Sequence, residues 1–150
     1  VSLAAAITSI VYMRWGAWGA IHAAEAGLVF CLFSGAAAEQ YDICCGGNLL
    51  SVAAVALLKI FGKERVRTGH LSLVFPLLVQ LLMQAGRAAA ALMLGAGPGS
   101  AVGFFTTDSL SLLFTFVIIW IARKLDGVYE DQKHYLLRIH AEEGQKGGKL

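Results

Sequence analysis

Charged residues are scarce in this sequence and are confined to a few short segments. Only 15% of the 150 residues are Asp, Glu, Lys or Arg, against about 25% in an average soluble domain. Residues 88–107 and 109–122 contain none of them, while 57% of the chain is hydrophobic. Because a soluble domain of this size could not bury so much apolar surface, we predict that lipid surrounds most of the chain.

Sequence motifs of several functional classes are also missing. The three cysteines, Cys31, Cys44 and Cys45, lack the spacing of a zinc site, and we interpret them as buried thiols. No Ser-His-Asp, HExxH, P-loop or GxGxxG pattern occurs in a fitting context. A net charge of +2 is too small to indicate nucleic acid as a partner. We therefore predict no catalytic residue, no metal site and no cofactor.

Four apolar segments are long enough to cross a bilayer as helices, which requires about 20 residues. They cover about 15–38, 43–61, 71–94 and 104–122, and together form a predicted transmembrane domain over 15–122. The short links between them predict that consecutive helices are antiparallel neighbours. The predicted fold class is all-α, a polytopic membrane protein with four transmembrane helices in an antiparallel bundle.

The two flanking regions differ in character. Residues 1–14 are apolar but too short to cross a membrane alone, so they lie in the interface, extend the first helix or belong to a fifth span. Residues 123–143 are polar, and their apolar positions recur every three or four residues, which predicts an amphipathic tail helix on the cytoplasmic side. Residues 144–150 are predicted to be disordered. The tail is either a solvated helix or a partner-docking helix with the stripe Leu125, Val128, Gln132, Tyr135 and Ile139.

Basic residues mark one side of the predicted membrane domain. Arg14 precedes the first span, several Lys and Arg residues lie in 59–67 between the second and third spans, and Arg123 and Lys124 follow the fourth. With four spans, all these residues fall on the same side. Because basic loops remain in the cytoplasm, we expect both chain ends on the cytoplasmic side, or on the matrix or stromal side in an organelle.

Polar side chains inside the predicted spans are the candidate functional residues, because such groups are costly in lipid and usually face the bundle interior. His22 and Glu25 share a face of the first span, and Glu25 lies roughly 15 Å beyond Trp15, near the midplane. We expect Arg87 to pair with Asp108, and Glu39 and Asp42 are competing partners. Matched by depth, the polar residues form an outer layer of Asn48, Gln84, Arg87, Asp108 and Ser111, and a middle layer of Glu25, Gln80 and Thr115.

Three functions are compatible with this pattern. The first is a non-enzymatic subunit, scaffold or assembly partner of a larger membrane complex. The second is a small oligomeric channel or a proton- or cation-linked transporter, with His22 and Glu25 on its pathway. The third is a lipid-modifying enzyme that handles a head group with His22 and Glu25, or with Arg87 and Asp108. The expected partners are membrane lipids and either other membrane-protein subunits or further copies of this chain.

Overall fold

Every regular element that the structure describes is helical. The computed structural model covers 3–106, 109–125, 128 and 132–147, and no residue within these ranges is in a β-strand. The predicted all-α class is therefore confirmed. The helices are α1 (Ala4–Trp15), α2 (Trp18–Ser34), α3 (Ala38–Phe61), α4 (Lys63–Thr68), α5 (Leu71–Met93), α6 (Pro98–Thr106), α7 (Ser109–Ala122) and α8 (Gln132–Gly147).

Three helical stretches are long and apolar enough to cross a membrane. They are α3, α5 and the stretch Pro98–Ala122 that comprises α6 and α7, and they support an integral membrane protein. Helix α2 is also apolar but has only 17 residues, or about 26 Å at 1.5 Å per residue, against a hydrocarbon thickness of about 30 Å. The predicted count of four spans and the four-helix antiparallel bundle are therefore not confirmed.

Two glycines explain why the first predicted span, 15–38, is shorter in the structure. Gly16 and Gly35 have φ angles of 62° and 63°, in a region that glycine adopts without steric penalty. Gly35 ends α2 as a left-handed cap and donates its N–H to the carbonyl oxygen of Cys31. Gly16 forms the turn that separates α2 from the helix before it.

The link before the last predicted span is also shorter than expected. Gly95 has a φ angle of 85° and forms the turn after α5. Pro98 then occupies the first position of α6, where its missing N–H removes no hydrogen bond and its fixed φ angle suits a helix. The helix therefore begins at residue 98 and not at 104.

Helix α1 lies in the core of the bundle. The side chains of Thr8, Tyr12 and Met13 are fully buried. The ring of Tyr12 fills the space where Gly19 lacks a side chain, and Thr8 Oγ1 lies 3.0 Å from His22 Nδ1. These pairs show that α1 folds back along α2. The N-terminal segment is therefore a separate core helix and does not extend α2.

Helix α3 departs from regular α geometry in two places. Asp42–Gly46 is a π-helical segment and Leu50–Ala53 is a 3₁₀ segment. Such segments change the rotation per residue, so they alter which side chains of α3 face its neighbours. Asp42, which precedes the predicted second span 43–61, lies inside this helix, at the start of the π-helical segment.

Small residues let α3 approach α2 and α5 closely. A Cβ atom added at Gly27 would lie 2.6 Å from the carbonyl oxygen of Cys44, and one at Gly47 would lie 2.6 Å from the Cα atom of Arg87. A Cβ atom at Gly86 would overlap the carbonyl oxygen of Gly47. Close backbone packing of this kind is typical of helix pairs in membranes. It places the polar residues beside these glycines within hydrogen-bonding distance.

Arg67 of the predicted basic loop is buried in the structure. Arg67 lies on α4 and is only 7% exposed. Its Nε and Nη2 atoms donate hydrogen bonds of 3.0 and 2.6 Å to the carbonyl oxygen of Met13, and Nη1 lies 3.3 Å from Glu64. The last carbonyls of a helix have no partner within it and favour a nearby cation. Arg67 therefore caps the C-terminus of α1.

The tail helix does not simply continue α7. Helix α7 ends at Ala122, and α8 begins at Gln132. Of the predicted stripe, Val128 packs against the core, Ile139 is half-buried, and Leu125 and Tyr135 are exposed. Helix α8 reaches Gly147, so it extends into the region that was expected to be disordered. A docking role for this stripe stays a prediction.

Candidate functional site

Asn48 is the centre of a hydrogen-bond network that joins four helices. Its Nδ2 atom donates to the carbonyl oxygen of Ala23 on α2 at 2.8 Å, and its Oδ1 atom accepts from Nε of Arg87 on α5 at 2.8 Å. Its own carbonyl oxygen accepts a 2.6 Å hydrogen bond from Ser51. The hydroxyl of Ser51 lies 2.8 Å from that of Tyr12 on α1.

This network lies away from solvent, and that increases its importance for stability. Asn48, Ser51 and Tyr12 are all 0% exposed. Hydrogen bonds are strong in such surroundings, and a buried polar group that loses its partner carries a penalty of about 1–3 kcal/mol. The sequence analysis placed Asn48 and Arg87 in one layer, and the structure brings them into direct contact.

A small polar cavity lies beside this network, between α1, α5 and α7. Its volume is about 10 Å³, which is space for about one water molecule. The cavity brings together three members of the predicted outer layer and one of the middle layer. Its lining consists of Ala4, Ala5, Gln80, Met83, Gln84, Arg87 and Ser111.

The middle layer is assembled only in part. Thr115 Oγ1 on α7 donates a long, 3.5 Å hydrogen bond to Oε1 of Gln80 on α5. Both residues are buried. Asp108, the expected ion-pair partner of Arg87, lies outside the described residues.

His22 and Glu25 are not brought together. His22 is half-buried and faces α1, where its Nδ1 atom meets Thr8 Oγ1. Glu25 is exposed, and it forms no hydrogen bond or ion pair with any residue that the structure describes. Glu25 therefore lies on the outer surface of this chain and not beside Gln80 and Thr115, and the polar pathway along His22 and Glu25 stays a prediction.

Glu25 lies at the centre of a large apolar surface. Five of its six neighbours at spacings of three, four and seven residues along α2 are large, exposed and hydrophobic, and the sixth, His22, is half-buried. In the described parts of α2, α3, α5, α6 and α7, Glu25 is the one exposed ionisable residue more than five residues from a helix end. We call this surface the Glu25 face, and it comprises Trp18, Ile21, Glu25, Leu28, Val29 and Leu32.

The sequence analysis missed two groups of residues. One is Thr8 and Tyr12 on α1, whose spacing of four among small residues was a usable signal for a buried helix face. The other is Arg67, which the sequence does not distinguish from its basic neighbours. Within the described ranges, no three His, Cys, Asp or Glu residues cluster as metal ligands. No protein-family model, curated protein or solved structure matches this chain.

Proposed function

We propose that this chain is a non-enzymatic subunit or assembly partner of a larger membrane complex, and that it binds its partner through the Glu25 face. The observation that carries this proposal is an exposed carboxylate in the middle of an apolar helix. We further propose that the end of the bundle with Arg14 and Arg67 lies on the cytoplasmic (or matrix or stromal) side.

The energetic argument concerns the surroundings of Glu25. We propose that α2 is inserted in the membrane, where a charged side chain at the centre of a helix carries a penalty of about 3 kcal/mol on membrane-insertion scales. A neighbouring helix that supplies a cation or a hydrogen-bond donor at the same depth reduces this penalty. The fitting partner is therefore a transmembrane helix with Lys, Arg, His or an amide side chain near its middle.

The opposite side of α2 explains why the Glu25 face is the one available for a partner. Gly19, Ala23, Gly27 and Cys31 recur every four residues and are all buried. They pack against α1 and α3, through contacts such as that of Gly27 with Cys44. One side of α2 therefore packs against the rest of the chain, and the opposite side, the Glu25 face, is exposed.

The first test of this proposal is crosslinking in native membranes. A photoreactive residue at Val29, on the Glu25 face, should capture one protein in stoichiometric yield, and the crosslinked peptide should contain a basic or amide residue in mid-span. The same probe at Val52, which is exposed on α3, is the control. Equal capture from the two positions would contradict the proposal.

The second test is a substitution of the carboxylate. Glu25→Leu should weaken association about tenfold, which corresponds to about 1.4 kcal/mol, as measured by the share of hetero-complex in native mass spectra. Glu39→Gln removes an exposed carboxylate near the start of α3 and should leave the complex intact. Unchanged association of the Glu25→Leu variant would overturn the proposed interface.

A channel or a proton- or cation-linked transporter is the second candidate, and the exposure of Glu25 also favours it. Because Glu25 is exposed on the outer side of α2, the pathway of this candidate runs between copies of the chain. This candidate predicts a closed homo-oligomer with Glu25 at its axis. It also predicts ion flux in vesicles that Glu25→Gln abolishes, whereas a hetero-complex without flux supports the first proposal.

A further inference from the structure

Basic residues from three parts of the chain lie at the same end of the bundle. Helix α5 runs opposite to α7, because Gln80 pairs with Thr115 while Arg87 and Ser111 line one cavity. It also runs opposite to α1, because the start of α1 lies at that same cavity and its end meets Arg67, just before α5. Helices α1 and α7 are therefore parallel, and their C-terminal ends, with Arg14 and with Arg123 and Lys124, lie at the same end.

Arg14 has an unused hydrogen-bond donor at this end. Its Nε atom is buried and has no hydrogen-bond partner among the described residues, while its guanidinium lies 4.8 Å from the ring centroid of Trp15. The residue as a whole is half-buried, so a ligand can reach the guanidinium. Nε itself lies below the surface, whereas Nη1 and Nη2 are not among the buried atoms without a partner, so an acceptor from outside the chain would bind at these two atoms.

The end of α7 repeats the arrangement seen at Arg14. The Nζ atom of Lys124 lies 4.0 Å from the ring centroid of Trp120, and Arg123 is half-buried. Trp15 and Trp120 are both partly exposed, and tryptophan is enriched at the level of the lipid head groups. The cations therefore lie at the depth where a membrane carries its phosphates.

We propose that this end of the bundle binds the head-group phosphate of an anionic phospholipid, with Arg14 as the main contact. A guanidinium matches phosphate oxygens with two parallel hydrogen bonds, and basic pockets at the cytoplasmic side of membrane proteins favour anionic head groups. Arg123 and Lys124 add positive charge. Arg67 is not a ligand, because Met13 and Glu64 occupy its guanidinium. The site does not depend on the Glu25 face.

The test uses the full chain, purified in detergent and stripped of lipid. Phosphatidylglycerol, phosphatidylcholine and inorganic phosphate are added separately, and native mass spectra and thermal unfolding measure binding. Phosphatidylglycerol should bind at least tenfold more tightly than phosphatidylcholine. Inorganic phosphate at the same concentration should give little change in the unfolding temperature. If it matches phosphatidylglycerol, the ligand is a soluble phosphate compound and the lipid assignment is overturned.

Substitutions locate the site. Arg14→Gln should weaken phosphatidylglycerol binding about tenfold. The affinity of Arg14→Lys should lie between those of the wild type and Arg14→Gln, because lysine keeps the charge but cannot form the two parallel hydrogen bonds. Arg138→Gln removes the same charge from the exposed tail helix and serves as the control. If Arg14→Gln does not fold, the double variant Arg123→Gln/Lys124→Gln replaces it. We expect this double variant to bind phosphatidylglycerol at least threefold more weakly than the wild type. Equal affinity of the site and control variants would overturn the proposal.

Discussion

Helix α5 makes two very different contacts, one with α3 and one with α7. Against α3, Gly86 and Gly47 bring the backbones together, and Arg87 donates a 2.8 Å hydrogen bond to Asn48. Against α7, Gln80 accepts a 3.5 Å hydrogen bond from Thr115, and a small cavity lies alongside. The comparison teaches that the predicted polar layers contribute unequally, and that the α3–α5 contact should dominate stability.

The largest expected effect is at the close backbone approach. Gly86→Leu should destabilise the protein by about 3 kcal/mol, because overpacking at a rigid contact forces the helices apart and also separates Arg87 from Asn48. Thermal unfolding in detergent measures the change. Gly46→Leu is the matched control, since Gly46 is exposed and nothing lies within 4 Å of a Cβ atom added there. A similar unfolding temperature for both variants would show that α3 and α5 are not in tight contact.

A smaller effect is expected from removal of the central amide. Asn48→Leu keeps the volume but leaves the Nε atom of Arg87 without its acceptor and removes the side-chain hydrogen bond to the carbonyl oxygen of Ala23, at a cost of about 2 kcal/mol. The free energy of unfolding in a mixed-detergent titration measures this loss. The network is not a structural centre if the variant is as stable as the wild type.

The smallest effect is expected on the other side of α5. Thr115→Val keeps the shape of the side chain and removes only one long hydrogen bond, so the loss should stay below about 0.6 kcal/mol, the average for interhelical hydrogen bonds in membranes. The same unfolding titration applies. A loss equal to that of Asn48→Leu would remove the distinction between the two contacts.

Depth along the membrane was predictable from the sequence. The rise of 1.5 Å per residue is nearly constant in helices, so matching depths placed Asn48 with Arg87, and Gln80 with Thr115. The structure shows both pairs in contact. The depth argument needed only the correct assignment of the apolar segments.

Rotation about the helix axis was not predictable. His22 and Glu25 lie about 60° apart on an ideal helix, yet the first faces α1 and the second faces outward. A helix that is apolar on all sides has no periodicity in its hydrophobic residues that would mark its inner face. Small residues at Gly19, Ala23 and Gly27 were the better guide, because they mark where backbones approach each other.

The fold-back of α1 could not be predicted for a different reason. It depends on a positive φ angle at Gly16 and on the capping of Met13 by Arg67. The first is one of several glycines in the sequence, and the second joins residues 54 positions apart. Neither contact leaves a local pattern that separates it from its neighbours.

The hydrogen bonds from Arg67 to the carbonyl oxygen of Met13 also set an order for biogenesis. Because the chain is synthesised from its N-terminal end, α1 and α2 are made before Arg67. Until then, the carbonyl oxygen of Met13 must take its hydrogen bonds from water or lipid head groups. The first helical hairpin therefore reaches its final form only after the second long helix, α3, has entered the membrane.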